Sequence, residues 1–222
     1  MSTQSNLLSI QASIPEHVTL VAVSKTKPNS MIEECYEANQ RHFGENKVQD
    51  LVDKYNTLPK DIKWHYIGHL QTNKVKFIAP FVHLIHAVDS IKLLKEINKQ
   101  ALKNNRIINV LLQFHIAKET SKFGLNKNSS LELLHSDDYA LMKNINILGV
   151  MGMATFTDDN EQIKKEFKSL VSYFNDLKTT EFSTSSSFLE LSMGMSGDYK
   201  IAIEEGSTMV RVGSSIFGSR SV

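Results

Sequence analysis

The sequence predicts an α/β fold: a single (β/α)8 barrel of the TIM type, with an N-terminal helix and no C-terminal β domain. Three observations lead there. Eight short runs are rich in Val, Ile, Leu and Phe, often apolar on both faces, as strands of a covered parallel sheet must be. Amphipathic segments fill most of the gaps between them, the alternation expected of repeated βα units. No long Gly/Pro linker or internal repeat interrupts the 222 residues, so residues 1–222 read as one domain. A doubly wound open sheet is the competing architecture, but eight strands would be many for it at this length.

The strand runs are "VTLVAVSK" (18–25), "RHFGE" (41–45), "KWHYIG" (63–68), "VHLIHAVD" (82–89), "INVLLQFHI" (108–116), "INILGVMGMA" (145–154), "FLELSMGM" (188–195) and "TMVRVGSSIFG" (208–218). The first is followed by "NSMIEECYEAN", whose start is marked by Pro28 and Asn29–Ser30. After the fourth, "IKLLKEINKQALKN" sets Leu93, Leu94, Ile97 and Leu102 on one stripe with lysines opposite, behind a "DS" N-cap. After the sixth, Ile163, Phe167, Leu170, Val171, Phe174 and Leu177 repeat that pattern. "STSSS" (183–187) reads as a loop before the seventh strand. Glycines 149 and 152 suit tight barrel packing, and Cys35 falls in the apolar pattern of its helix as a packed residue.

Composition narrows the function. Lysine plus arginine (25) nearly balances aspartate plus glutamate (24), so no global field favours nucleic acid or anionic lipid. One cysteine excludes an intramolecular disulfide and a cysteine-built zinc site. The eight histidines form no i, i+4 pair with a nearby carboxylate, and His83 and His86 read as satisfied core residues, so no metal is expected. The N-terminus carries no basic segment ahead of a long apolar run, and no window approaches the roughly 18 apolar residues of a membrane span. A cytoplasmic protein is expected.

In a barrel of this kind, chemistry belongs where the strands end and the βα loops converge. That rule picks out Lys25 from the first strand, Glu45 and Asn46 from the second, His69, Gln71 and Asn73 from the third, and His115 from the fifth. It also picks out "SMGMSGD" (192–198) and "RVGSSIFG" (211–218). Loops after strands seven and eight commonly bind phosphate in barrels, and Ser196–Gly197 and Gly213–Ser214–Ser215 offer amides, hydroxyls and close backbone approach there. Each alone is an ordinary turn; together they point to a phosphate site. Arg211 shares a face with Gly213, and an inward arginine in an apolar run needs a partner, either a structural carboxylate or a ligand. Met193, in the Met-rich "SMGMS", offers a surface for a flat ring, although methionine is usually core filler. An amine at the same mouth as a phosphate site suits a phosphorylated aldehyde held as a Schiff base, or a Schiff-base aldolase acting on a sugar phosphate. Composition alone would make Lys25 a snorkelling strand-end charge, and Lys27 is read as one.

In order along the chain, "AVSKTKP", "HFGENKVQD", "WHYIGHLQTNK", "SKFGL", "GVMGMAT", "LSMGMSGDY" and "VRVGSSIFG" resemble the YggS/PROSC family of pyridoxal-phosphate homeostasis proteins, from about Val18 to Gly218. The resemblance implies a barrel like the N-terminal domain of alanine racemase with pyridoxal 5′-phosphate (PLP) in its mouth. It implies that Lys25 is the Schiff-base lysine, that Asn46 contacts the cofactor, that Ser196, Gly213 and Ser214 bind phosphate, and that Arg211 faces the pyridine nitrogen. Lys122 in "SKFGL" matches a family lysine near the site. Lys47 stands where many members have tyrosine and Tyr66 where phenylalanine is common; neither change is expected to touch a PLP contact.

Two functions follow. An arginine at the pyridine nitrogen disfavours its protonation and weakens the electron sink. Racemases resembling this barrel add a second base from a partner subunit and a further β domain, whereas this sequence stops four residues after "IFG". The expectation is therefore a PLP carrier or buffer, monomeric, which the resemblance describes as a homeostasis protein without established turnover and which would pass PLP to PLP-requiring apo-enzymes. A PLP-dependent amino-acid racemase is the alternative.

Overall fold

A computed structural model describes residues 2–118 and 123–219. Eight parallel strands close into a barrel in sequence order, each hydrogen-bonded to the next and the last to the first. They are β1 (Thr19–Val23), β2 (His42–Glu45), β3 (Lys63–Tyr66), β4 (Leu84–Val88), β5 (Ile108–Phe114), β6 (Ile145–Gly152), β7 (Glu190–Ser192) and β8 (Met209–Val212). The helices are α1 (Thr3–Ala12), α2 (Asn29–Glu37), α3 (Val48–Thr57), α4 (Val75–Ile78), α5 (Ile91–Lys103), α6 (Lys127–Leu134), α7 (Asp137–Ala140), α8 (Asn160–Thr179), α9 (Tyr199–Glu204) and α10 (Ser214–Phe217). The α/β barrel with a preceding helix is the fold the sequence predicts. Among the described residues no helix is long and apolar enough to cross a membrane.

Local chemistry explains the boundaries. Ser90 caps α5 by accepting the Leu93 amide, and Asp159 caps α8 by accepting the amides of Glu161 and Gln162. The α5 stripe buries Leu93, Leu94, Ile97 and Ala101. Leu102 departs from expectation and is 61% exposed. Eight residues beyond Leu94, the 3.6-residue period has carried it about 80° round the helix. The run 208–218 also divides: the strand stops at Val212, and Ser214–Phe217 turn into α10 after Gly213. Gly149 is required where β6 meets β7, since a Cβ there would stand 1.8 Å from the Glu190 carbonyl oxygen. Cys35 is buried, and burial pushes its thiol up to about 12, as suits a packing residue.

Apolar side chains divide into two cores. The larger lies between barrel and helices, with Trp64, Phe43, Phe167 and Phe188 fully buried. The smaller is formed by Val21, Leu84, Ala87, Leu111, Met151 and Met209, the strand positions that alternation directs inward. A polar column runs through the same interior. His42 Nδ1 and His65 Nε2 are hydrogen-bonded across 2.9 Å, His65 Nδ1 and His86 Nε2 across 2.9 Å, and His86 Nδ1 and Ser192 Oγ across 3.1 Å. Arg211 Nη1 donates to the same Ser192 Oγ at 2.5 Å. The column thus links the start of β2, through β3, β4 and β7, to the upper half of β8. Burial holds His65 and His86 well below the ordinary imidazole range, so both are neutral members of the chain.

Candidate functional site

A cavity of about 580 Å³ opens among the C-terminal strand ends. Lys25, Asn46, Ser196, Arg211, Gly213 and Ser214 all line it, so the fold brings together six positions contributed by the ends of β1, β2, β7 and β8.

Behind Lys25 lies a buried polar knot. The Ser24 hydroxyl donates to Glu45 Oε1 at 2.6 Å. From α3, Lys54 Nζ donates to the same Oε1 at 2.6 Å and to the Ser24 carbonyl at 2.9 Å. Glu45 therefore points away from the cavity, toward α3, and fastens the ends of β1 and β2 together. Burial pushes its carboxyl up and the Lys54 ammonium opposes that push. The chain then turns sharply: Thr26 has φ 65°, and the Lys27 amide bonds back to the Ser24 carbonyl at 3.0 Å. A β-branched residue in the left-handed region is strained, a condition common where a ligand group must be aimed. Lys25 sits half-buried between knot and turn. Lys27 also reaches the cavity edge, where its Nζ donates to the Ser219 carbonyl at 3.0 Å.

The two glycine-serine segments meet. The Gly213 amide donates to Ser196 Oγ at 3.1 Å, tying the loop after β7 to the start of α10. The Ile216 and Phe217 amides bond back to the Gly213 carbonyl, which leaves those of Ser214 and Ser215 in the first helical turn, ahead of the internal ladder. Asp198 Oδ1 accepts the Met195 amide at 2.5 Å and folds the other loop.

Arg211 is 4% exposed. The sequence leaves its partner open between carboxylate and ligand; the structure gives it neutral groups, the Ser192 hydroxyl and the Gly152 carbonyl at 3.0 Å. Burial lowers its guanidinium to about 10, with Asp198 pulling the other way, so the charge persists at neutral pH. A satisfied buried cation on the cavity wall is an anchor for an acceptor atom, such as an unprotonated ring nitrogen.

Asn46 is set by a close approach. A Cβ on Gly68 would lie 2.4 Å from the Asn46 carbonyl oxygen, so only glycine lets the β3 exit pass there. Tyr66 Oη donates to that same carbonyl at 3.2 Å. Tyr66 therefore does touch a candidate contact residue, contrary to the sequence expectation. Two candidates fall elsewhere. Asn73 is exposed on a 3-10 turn (Thr72–Lys74), and Met193 is fully buried in the larger core; neither lines the cavity, where Met195 stands instead. Lys122 lies outside the described residues. Met153 and Thr155 line the cavity without having been singled out, although the strand-end rule applied to β6 finds them. The Thr155 amide and hydroxyl hold the Glu166 carboxylate at 2.6 and 2.8 Å.

The site can be set beside known proteins. The family model described as "Alanine racemase, N-terminal domain" matches residues 2–221. A pyridoxal phosphate homeostasis protein of Aquifex aeolicus is 38% identical over 203 residues, covering 90% of this chain and 86% of the relative. The structure of PipY from Synechococcus elongatus PCC7942 with PLP bound superposes with a TM-score of 0.87 at 32% identity, covering 98% of this chain and 100% of PipY. Alanine racemase of Clostridium difficile 630 superposes at 0.78 with 12% identity, over all of this chain and 57% of the racemase, a likeness of fold alone. With a family model spanning nearly its whole length and relatives of this identity, the chain belongs to the alanine racemase N-terminal-domain family and, within it, to the pyridoxal phosphate homeostasis proteins.

Proposed function

We propose that residues 1–222 form a single PLP-binding barrel domain that holds the cofactor as a Schiff base on Lys25 and serves the balance of PLP, amino acids and keto acids. The observation that carries this reading is the convergence of Lys25, Arg211 and the Ser196–Gly213–Ser214 cradle on one cavity of about 580 Å³. An amine, a hydroxyl-and-amide cradle and a buried guanidinium are the donors that an aldehyde, a phosphate and a pyridine nitrogen require. PipY, 32% identical, has a structure with PLP bound, which supports the same assignment here.

The residues divide the work. Lys25 supplies the covalent anchor, Ser196, Gly213 and Ser214 hold phosphate, Asn46 borders the ring, and Arg211 presents its N–H toward the ring nitrogen. PLP, when bound, supplies an electron sink that the group at its nitrogen tunes. Arg211 keeps its charge at neutral pH, so beside a bound cofactor it would donate a hydrogen bond and would leave the ring nitrogen an acceptor and the sink weak. That favours holding over turnover. In this reading the protein works in the cytoplasm as a monomer, with PLP-requiring apo-enzymes as receivers.

The test is spectroscopic. Reconstitution with PLP gives a yellow protein, and borohydride fixes the chromophore to the peptide containing Lys25. Lys25→Ala removes the absorbance of the bound form; an unchanged spectrum in that variant overturns the assignment. Amino-acid racemase activity would show as PLP-dependent deuterium uptake at the α-carbon of supplied amino acids at ordinary enzymatic rates.

A further inference from the structure

Away from the cavity, at the N-terminal end of the barrel, three histidines from neighbouring strands converge. His42 opens β2, His65 lies within β3, and His83 immediately precedes β4. One ring nitrogen from each lies within 4.8 Å of the other two. The ring centroids are 5.1, 5.3 and 5.7 Å apart. His65 is fully buried, whereas His42 and His83 are half-buried and reachable from solvent.

We propose that His42, His65 and His83 form a binding site for a divalent transition-metal ion of the zinc class, with three imidazole ligands and a fourth position open to water. Neutral imidazole suits zinc, copper, nickel and iron, and not magnesium or calcium. Tetrahedral zinc with Zn–N bonds of about 2.0–2.1 Å sets its ligand nitrogens roughly 3.4 Å apart. His42 Nδ1 and His65 Nε2 stand 2.9 Å apart, so small ring rotations admit the ion in place of the proton they now share. His83 closes the triad from the third strand.

The surroundings suit a ligand set. A metal-bound histidine usually carries its other ring nitrogen in a hydrogen bond that fixes its tautomer. His65 does so: with Nε2 turned to the metal, its Nδ1–H donates to His86 Nε2, and the His86 Nδ1–H donates to Ser192 Oγ. Lys63 and Arg106 act electrostatically on the cluster and weaken its hold on a cation. Lys63 is exposed, so salt screens its share. Among the described residues no carboxylate joins the cluster, and no two of the three histidines are i, i+4 apart; register between strands brings them together.

The test uses the full-length protein and ZnCl2 alone. Equilibrium dialysis should give one Zn²⁺ per chain. His42→Gln and His83→Asn should each weaken binding by more than the roughly 10–100-fold that loss of an outer-shell partner costs. Both substituted side chains are half-buried, so circular dichroism checks that the variants fold. A second measurement needs no variant. Diethyl pyrocarbonate labelling of His42 and His83, read by peptide mass, should be blocked by Zn²⁺. Sub-stoichiometric binding, binding unaltered by both substitutions, or labelling indifferent to Zn²⁺ overturns the proposal.

Discussion

The two ends of the barrel are built differently. At the mouth, candidate residues sit in short contiguous segments, "SKTKP", "GEN", "MSGD" and "RVGSS", and each segment carries its own turn chemistry. At the floor, the histidines come singly from three strands and meet only because β2, β3 and β4 are adjacent and parallel. The mouth is also the costlier end. It holds a buried ion pair, a backbone approach only glycine permits, and a threonine at φ 65°. The floor holds mutually hydrogen-bonded neutral rings. The contrast predicts that mouth substitutions lower PLP affinity whether or not stability falls with it, while His83→Asn at the floor leaves the PLP spectrum unaltered.

The largest effect is expected from the knot behind Lys25. Glu45→Gln leaves the Lys54 ammonium buried without its countercharge, and breaking such a pair costs about 3–5 kcal/mol. The urea midpoint should fall accordingly, and PLP affinity with it, because the same carboxylate holds the Ser24 hydroxyl beside the anchor. Glu45→Gln combined with Lys54→Met removes both charges and should recover most of the stability but not the affinity. A single variant as stable as the parent would remove the knot from the account of the mouth.

Gly68→Ala is expected to be next. Its Cβ would meet the Asn46 backbone at 2.4 Å, which no side-chain rotation relieves, and forced backbone movement costs about 1–3 kcal/mol. The displacement falls on Asn46, so PLP affinity should drop while the far histidine cluster keeps its metal affinity. Loss of zinc binding in this variant would show the two ends to be less independent than their construction suggests.

What the sequence disclosed follows the same division. Barrel and strand order were legible because apolar runs and helical stripes repeat along the chain, and Lys25, Asn46, Ser196, Arg211, Gly213 and Ser214 were legible because strand ends are where a barrel places chemistry. Contacts set by register or outward-facing alternation were not. Glu45 follows the strand-end rule yet faces α3, and Met193 lies one strand position past Ser192, on the side that packs against helices. His83 and His86 looked alike in "VHLIHAVD", but the three-residue step between them sends His86 into the interior column and leaves His83 at the half-exposed floor.

The smallest effect on stability, and the sharpest separation of stability from binding, is expected at Thr26. Its left-handed backbone is costly by about 1–3 kcal/mol for a β-branched residue, and glycine would relieve that strain. Glycine also gives the unfolded chain more freedom, a cost of roughly 0.5–1 kcal/mol. The two nearly offset, so thermal unfolding of Thr26→Gly should match the parent within about 1 kcal/mol, or exceed it slightly. Binding should not follow. Thr26 is the residue after the anchor, and its stiff backbone restricts where the Lys25 amine points; glycine frees that turn, so PLP affinity should fall several-fold at unchanged stability, read by titrating the bound-form absorbance. Equal affinity in this variant would mean that the Ser24–Glu45–Lys54 knot alone aims the lysine, and that the strain at Thr26 is incidental to the site.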